Sequence, residues 1–247
     1  MLEMKKVVEL MRFRDRRWIP IAAVLTAAAV ILFLVVRYID RASPVSISGI
    51  QMIDTIVIDP GHGGVDGGAT GIGGVVEKDI NLQIGLKLRD IFQMNGYQVV
   101  MTRDTDKSIH SSGKNLSQQK KSDMQNRLKI IENTPNSITI SIHQNLYEES
   151  KYSGAQMFYG RVNEESKLLA SAIQKRFVAN LQKDNKREIK EAQKNLYLMY
   201  YAKTPIVLVE CGFLSNPVES ALLSDDTYQN KVAFTIFCGI MDYFGQV

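Results

Sequence analysis

A chain of 247 residues with 45% hydrophobic content can bury one sizeable core, and one domain of about 200 residues is the expectation. The formal charge of +4 does not describe a nucleic-acid-binding surface: residues 1 to 41 hold 8 Lys/Arg against 4 Asp/Glu, so totals of 30 and 26 leave 22 of each sign beyond. Two cysteines exclude a disulfide scaffold and a multi-cysteine zinc module, and three histidines leave a small stock for any metal site.

The first predicted element is "WIPIAAVLTAAAVILFLVV", residues 18–36, which is uncharged throughout. About 20 residues span a bilayer core as a helix, so it is expected to be a transmembrane signal-anchor. The basic segment 1–17 before it, with Lys5, Lys6, Arg12, Arg14, Arg16 and Arg17, is expected to stay cytoplasmic under the positive-inside rule. A cleaved signal peptide is the alternative and would give a secreted protein. The apolar run is longer than a usual signal core of about 7 to 15 residues, and no clear small-x-small cleavage site follows it. "RASPVSISG", within residues 37–52, reads as a linker.

Residues 53–247 then alternate strands and helices. Strands are expected at Thr55–Ile58, Tyr97–Thr102, Ser137–Ile142, Ala155–Tyr159, Leu196–Met199 and Ile206–Val209. Helices are expected at Lys78–Met94, with Ile80, Ile84, Leu88 and Ile91 along one stripe, and from about Ser122 to Glu132. Two more are expected at Glu164–Leu181, capped by Asn163, and Asp225–Phe244. The charged run "QKDNKREIKEAQK" (182–194) has no apolar stripe and reads as a solvated loop or helix end. This order implies a single α/β domain with a mostly parallel twisted sheet flanked by helices.

In an open α/β sheet, ligands gather beyond the carboxyl ends of the strands. His62 follows the Thr55 strand, His143 ends the Ser137 strand, Glu210 ends the Ile206 strand, and Glu77 stands at the start of the Lys78 helix. Singly, each has a plain structural reading. Glu77 can be a first-turn acid favoured by the helix dipole, and either histidine a hydrogen-bonded structural residue. Glu210 follows "PIVLV", a run that enters a core where an unpaired carboxylate is costly. Together, two histidines and one carboxylate make a three-ligand set with an open fourth position, and a second carboxylate can serve as base. The glycine-rich stretch "PGHGGVDGGATGIGG" lacks Gly-Lys-Ser/Thr and breaks the dinucleotide fingerprint at Asp66, so glycine there is expected to serve tight turning and space beside a substrate. A thiol mechanism would use Cys211 near His143, but adjacent strand residues point to opposite faces, which favours Glu210. His110 reads as a loop histidine.

The segments "VIDPGHGG", "EKDINLQIGLKLRDIF", "VVMTRDTD", "SIHQN" and "VLVECGFLSNP" occur in the order and spacing of zinc-dependent N-acetylmuramoyl-L-alanine amidases of the type 3 family, which this chain resembles from about Thr55 onward. The resemblance implies one zinc per chain held by His62, Glu77 and His143, with Glu210 as the catalytic carboxylate, so that 53–247 would be the catalytic domain. Gln144 stands where the family usually has a small residue and is expected to narrow the groove. No wall-binding repeats accompany the anchor, a layout similar to the sporulation-specific cortex amidases of endospore formers. That likeness implies peptidoglycan as substrate and an extracytoplasmic site facing the forespore intermembrane space. It also implies a possible accessory or activator protein. A two-metal exopeptidase using Asp59 and Asp66, and a non-enzymatic wall-binding protein, are the rival readings.

Overall fold

A computed structural model describes residues 29–33 and 53–245. Residues 29–33 are exposed helix; the rest of the expected anchor, and the linker, lie outside the described residues. Among the described residues no helix is long and apolar enough to cross a membrane.

Six strands form one sheet: β1 (Thr55–Pro60), β2 (Gln98–Met101), β3 (Ser137–Asn145), β4 (Gln156–Tyr159), β5 (Lys190–Glu191) and β6 (Ile206–Phe213), in the order β2-β1-β3-β6-β4-β5. β1, β2, β3 and β6 run parallel, as β-helix-β connections require, whereas β4 lies antiparallel to β6. The sheet is therefore mixed. Its reversal at β4 was not legible in local patterning, because alternation reports a face and not a direction.

The α-helices of residues 53–245 are α1 (Glu77–Met94), α2 (Leu116–Glu132), α3 (Glu165–Asn180), α4 (Tyr197–Tyr201), α5 (Pro217–Leu223) and α6 (Asp226–Phe244). Two helix starts follow from side-chain caps: Asn115 accepts the Gln118 amide, and Asp225 accepts the Tyr228 amide. The Asn115 cap starts α2 at Leu116, six residues before the expected start at Ser122, because the added residues Ser117 to Lys121 are polar and carry no apolar periodicity. Asn163 Oδ1 accepts the Glu165 amide at 2.9 Å and sets the start of α3.

One expected strand is a helix. Leu196–Met199 lies in and just before α4, where the Tyr200 and Ala202 amides bond the carbonyls of Leu196 and Leu198. A short apolar run satisfies either geometry, and here Leu198 and Met199 gain burial by packing as a helical turn on Val57, Ile206 and Leu208. The helix α5 was not anticipated from periodicity. Its start is set by Asn216, which accepts the Val218 and Glu219 amides, followed by Pro217 at the first turn.

The sheet separates two apolar layers. Ile56, Ile58, Ile138, Ile140, Ile142, Val207 and Val209 face α1, α3 and α6 in the larger core. The alternate residues Val57, Ile206 and Leu208 face the smaller layer under α2 and α4. That alternation decides which residues reach the rim on each side.

Candidate active site

The side chains of Asp59, Ser141, His143 and Leu208 line one cavity of about 280 Å³ on the α2/α4 side of the sheet. Because β3 and β6 are in parallel register with His143 opposite Glu210, both residues emerge at the same carboxyl edge. His62 comes from the loop just past β1, and Glu77 from the first turn of α1.

His62, Glu77 and His143 each offer one ligand atom, and these atoms all lie within 4.8 Å of one another. The Glu77 carboxylate stands between the rings: Oε2 is 3.2 Å from His62 Nε2, and Oε1 is 2.9 Å from His143 Nδ1. Backbone amides fix its orientation, since Ala69 N–H donates to Oε2 at 2.8 Å and Gln144 N–H to Oε1 at 3.1 Å. Burial alone raises the Glu77 pKa, but the hydrogen bonds from His143 and His62 outweigh it and hold the carboxyl below the usual carboxylate range. The group is thus kept ionised, as a ligand requires.

Asp66 performs a supporting role on His62. Its Oδ2 is 3.0 Å from His62 Nδ1, while Oδ1 pairs with Lys120 at 2.7 Å. Burial opposes protonation of His62, yet Asp66 and Glu77 raise its pKa to about 9. With a carboxylate holding Nδ1–H, the Nε2 lone pair is the one left for a metal, a recurrent arrangement around zinc. The sequence reading weighed Asp66 only as a donor to a second metal. Asp66 is committed to His62 and Lys120, and Asp59 accepts from Thr102, Ser141 and Arg127, so neither carboxylate is available for that task.

Two glycines of the loop lie against the site. A Cβ on Gly61 would lie 2.2 Å from the His143 ring, and one on Gly68, where φ is +70°, would lie 2.5 Å from Glu77 Oε2. Glycine is required because the site occupies the space that a side chain would fill. His62 itself has φ 63°, a left-handed conformation that costs energy for a histidine. Two wholly buried arginines hold it there. Arg127 donates to the carbonyls of Pro60 at 2.8 Å and His62 at 2.6 Å, and Arg103 donates to Pro60 and Gly61, both at 2.9 Å. Arg127 also pairs with buried Asp59 and with Asp123. Neither arginine was singled out from sequence. The residue type was visible, but its burial was not.

Glu210 is half-buried as a residue, yet its Oε2 is sealed from solvent and has no hydrogen-bond partner. Burial pushes its pKa up to about 7, with His143 pulling it back and Glu77 adding to the rise. An unpartnered carboxylate oxygen is costly unless it has a function or an ordered water. Cys211 points the other way, into the larger core; its thiol donates to the Val209 carbonyl and burial holds its pKa above the ordinary value. It is inert as a nucleophile. Gln144 does not narrow the groove: it is buried, and its Nε2 donates to Asn81 Oδ1 at 3.1 Å. Asn81 in turn donates to Glu77, so Gln144 braces the site from beneath. His110 bonds Ser108 in a half-buried loop position.

The donor set passes a chemical test for zinc. Two imidazoles and one ionised carboxylate with a fourth side open is a catalytic zinc set, and an orphaned carboxylate oxygen beside it fits a water awaiting a proton acceptor. Such a site, on the carboxyl edge of an α/β sheet, fits metal-assisted hydrolysis. The family model for N-acetylmuramoyl-L-alanine amidases matches residues 56–242, and the chain belongs to that family. It is an N-acetylmuramoyl-L-alanine amidase. It is 42% identical over 190 residues to the germination-specific N-acetylmuramoyl-L-alanine amidase of Bacillus subtilis, covering 76% of this chain and 79% of that protein. Among solved structures, the CwlD amidase of Clostridioides difficile in complex with the GerS lipoprotein is 42% identical with a TM-score of 0.75, over 78% of this chain and all of that one (100%). The catalytic domain of CwlV, an amidase of Bacillus (Paenibacillus) polymyxa, is 32% identical with a TM-score of 0.67, over 78% of this chain and 98% of that one.

Proposed function

We propose that this amidase removes stem peptides from spore-cortex peptidoglycan, using one zinc ion held by His62, Glu77 and His143, with Glu210 as the proton-transfer group. The observation that carries the assignment of roles is the orphaned Oε2 of Glu210 beside three converging ligand atoms. A zinc ion bound there supplies Lewis acidity toward the lactyl carbonyl and lowers the pKa of a water. Glu77 stays ionised between two histidines, and Asp66 keeps His62 in the tautomer that presents Nε2. Glu210 Oε2 accepts the proton of the attacking water and delivers it to the departing L-alanine nitrogen.

The cortex assignment is supported by the likeness to a germination-specific amidase. Residues 18–36 anchor the chain in the membrane and place 53–247, the catalytic domain, in the forespore intermembrane space. The complex of the C. difficile amidase with a lipoprotein supports an accessory protein for this chain as well.

The test is to incubate the full chain, in detergent, with cortex muropeptides with and without zinc and to identify the bond broken by mass spectrometry. Zinc-dependent release of peptides with a free L-alanine amine is expected. Glu210→Gln should keep one zinc and bind substrate while turnover falls by about 10³ to 10⁴-fold, the upper part of the general-base range. A variant that loses its zinc makes Glu210 a ligand. One with activity within tenfold of the parent removes it from the mechanism and favours a wall-binding role.

A further inference from the structure

The charged run 182–194, expected to be a solvated loop or helix end, is a loop whose lysines are exposed and whose first half is also tied down at the rim. Gln182 Oε1 accepts the Ala155 amide at 2.7 Å, and Asn185 Nδ2 donates to the Ala155 carbonyl at 2.8 Å. Gly154, with φ +92°, permits this approach, since a Cβ there would meet Asn185 at 2.8 Å. Arg187 completes the docking. Its Nε donates to the Ser153 carbonyl at 2.8 Å, one Nη donates to Gln156 Oε1 at 3.1 Å, and its guanidinium lies 4.5 Å over the Phe213 ring.

Gln156 is the register partner of Glu210 across the antiparallel β4–β6 pair. Directly opposed residues of such a pair project to the same face with Cβ atoms about 5 Å apart. Arg187 therefore stands one side chain away from the proposed proton-transfer group. Its two side-chain bonds use two of five N–H donors, leaving the fork able to grip a carboxylate.

Beside it opens a cleft of about 760 Å³ lined by Lys151, Lys183, Lys186 and Arg187, with Asp184 and Glu219 as its acids. Lys151 is paired with Glu149. Glu219 is spent on the backbone amides of Gly154 and Phe213. Its four basic residues outnumber Asp184 and Glu219, so a modest positive surplus remains at one end of the rim, inside a domain whose overall charge is balanced.

The substrate has two chemically different halves. Its glycan is uncharged once the lactyl group is amidated, whereas the stem peptide carries free carboxylates, the first on the residue after L-alanine. We propose that this cleft binds the acidic stem peptide on the leaving side of the scissile amide, with Arg187 gripping the carboxylate nearest L-alanine. The inference rests on the amidase reading of the His62–Glu77–His143–Glu210 site and adds to it the direction in which substrate lies across the rim.

Two disaccharide–tripeptides differing only at the second residue, D-isoglutamate or its amide D-isoglutamine, test it with the full chain. The parent should show a KM about tenfold lower for the free carboxylate, the scale of one charge-assisted hydrogen bond. Arg187→Gln should erase that preference by raising KM for the free carboxylate to that for the amide, and Arg187→Lys should restore part of it. Because Arg187 also holds the loop, Lys183→Gln and Lys186→Gln provide a second arm: both residues are exposed, so their melting temperatures should match the parent while the preference shrinks. Binding of the same pair to Glu210→Gln reads the preference without turnover. Equal KM and equal binding for the two substrates in the parent, or an Arg187→Gln effect identical on both, overturns the proposal. Failure of the parent to cleave either substrate, with the binding preference intact, would strike the catalytic assignment and leave the cleft standing.

Discussion

The two ends of the rim are built differently. At the β1–β3 end, His62, Glu77 and His143 are fixed by buried, charge-assisted bonds: Arg103 and Arg127 grip three successive carbonyls, and Asp59 lies wholly inside. At the β4 end, the 182–187 loop is held by neutral amide side chains and by one half-buried arginine, with its lysines in water. Chemistry on a scissile bond tolerates little displacement, so the first end accepts the desolvation cost of two buried guanidiniums. Recognition of a flexible acidic peptide needs charge more than rigidity, and exposed lysines supply it at little cost in stability.

The contrast breaks most completely if the metal set is opened. His62→Ala and His143→Ala should each lose both bound zinc and turnover, because two remaining ligands rarely hold zinc in water. Full zinc occupancy after dialysis, measured by elemental analysis, would show that the altered histidine is not a ligand. Neither change should alter the preference of the β4 end for a carboxylate.

The next largest effect is expected from Arg127→Met. Removing the guanidinium leaves Asp59 as a buried charge with only hydroxyl partners, and breaking a buried pair of this kind costs about 3 to 5 kcal/mol. Denaturant unfolding should show that loss. A cost below about 1 kcal/mol would mean that the clamp is no stiffer than the exposed end.

Much of the rigid end was legible before any coordinates. His62, Glu77, His143 and Glu210 each follow or precede a predicted element, and the rule that sites gather at strand ends places them together. What was not legible depends on burial and direction. Arg103 and Arg127 read as ordinary charged residues, since nothing local in a sequence says that a guanidinium enters a core. Gln144 was assigned to the groove because the family usually has a small residue there, yet its side chain turns beneath the site. Equal charge totals beyond residue 41 argue against a nucleic-acid-binding surface, but a sum over a chain cannot reveal that Lys183, Lys186 and Arg187 share one cleft. The strand expected at Leu196–Met199 failed because four apolar residues fit either period.

The smallest predicted effect sharpens the comparison through pH. In metal-free protein, burial raises the Glu210 carboxyl from 4.5 to about 7. Folding thus favours its protonated form, a contribution fully present below about pH 4.5 and lost as pH rises through about 7. Glu210→Gln is neutral at every pH, so it should match the parent near pH 4 and exceed it near pH 8.5 by on the order of 1 kcal/mol, a figure reduced because the residue is half-exposed. Melting curves in chelator at both pH values check this. Equal stability of the two proteins at high pH would mean that the carboxylate is already well solvated.

The reversed strand β4 has a consequence for how the molecule can be altered. By running against β6, it turns its entry toward the carboxyl edge, so the 146–155 and 181–188 connections hang over the same rim without crossing the sheet. Neither connection supplies a proposed metal ligand or a residue of the central parallel strands. Their lengths and charges can therefore be exchanged as an attachable sleeve around a fixed cutting edge, retuning which peptide is presented while the blade keeps its shape.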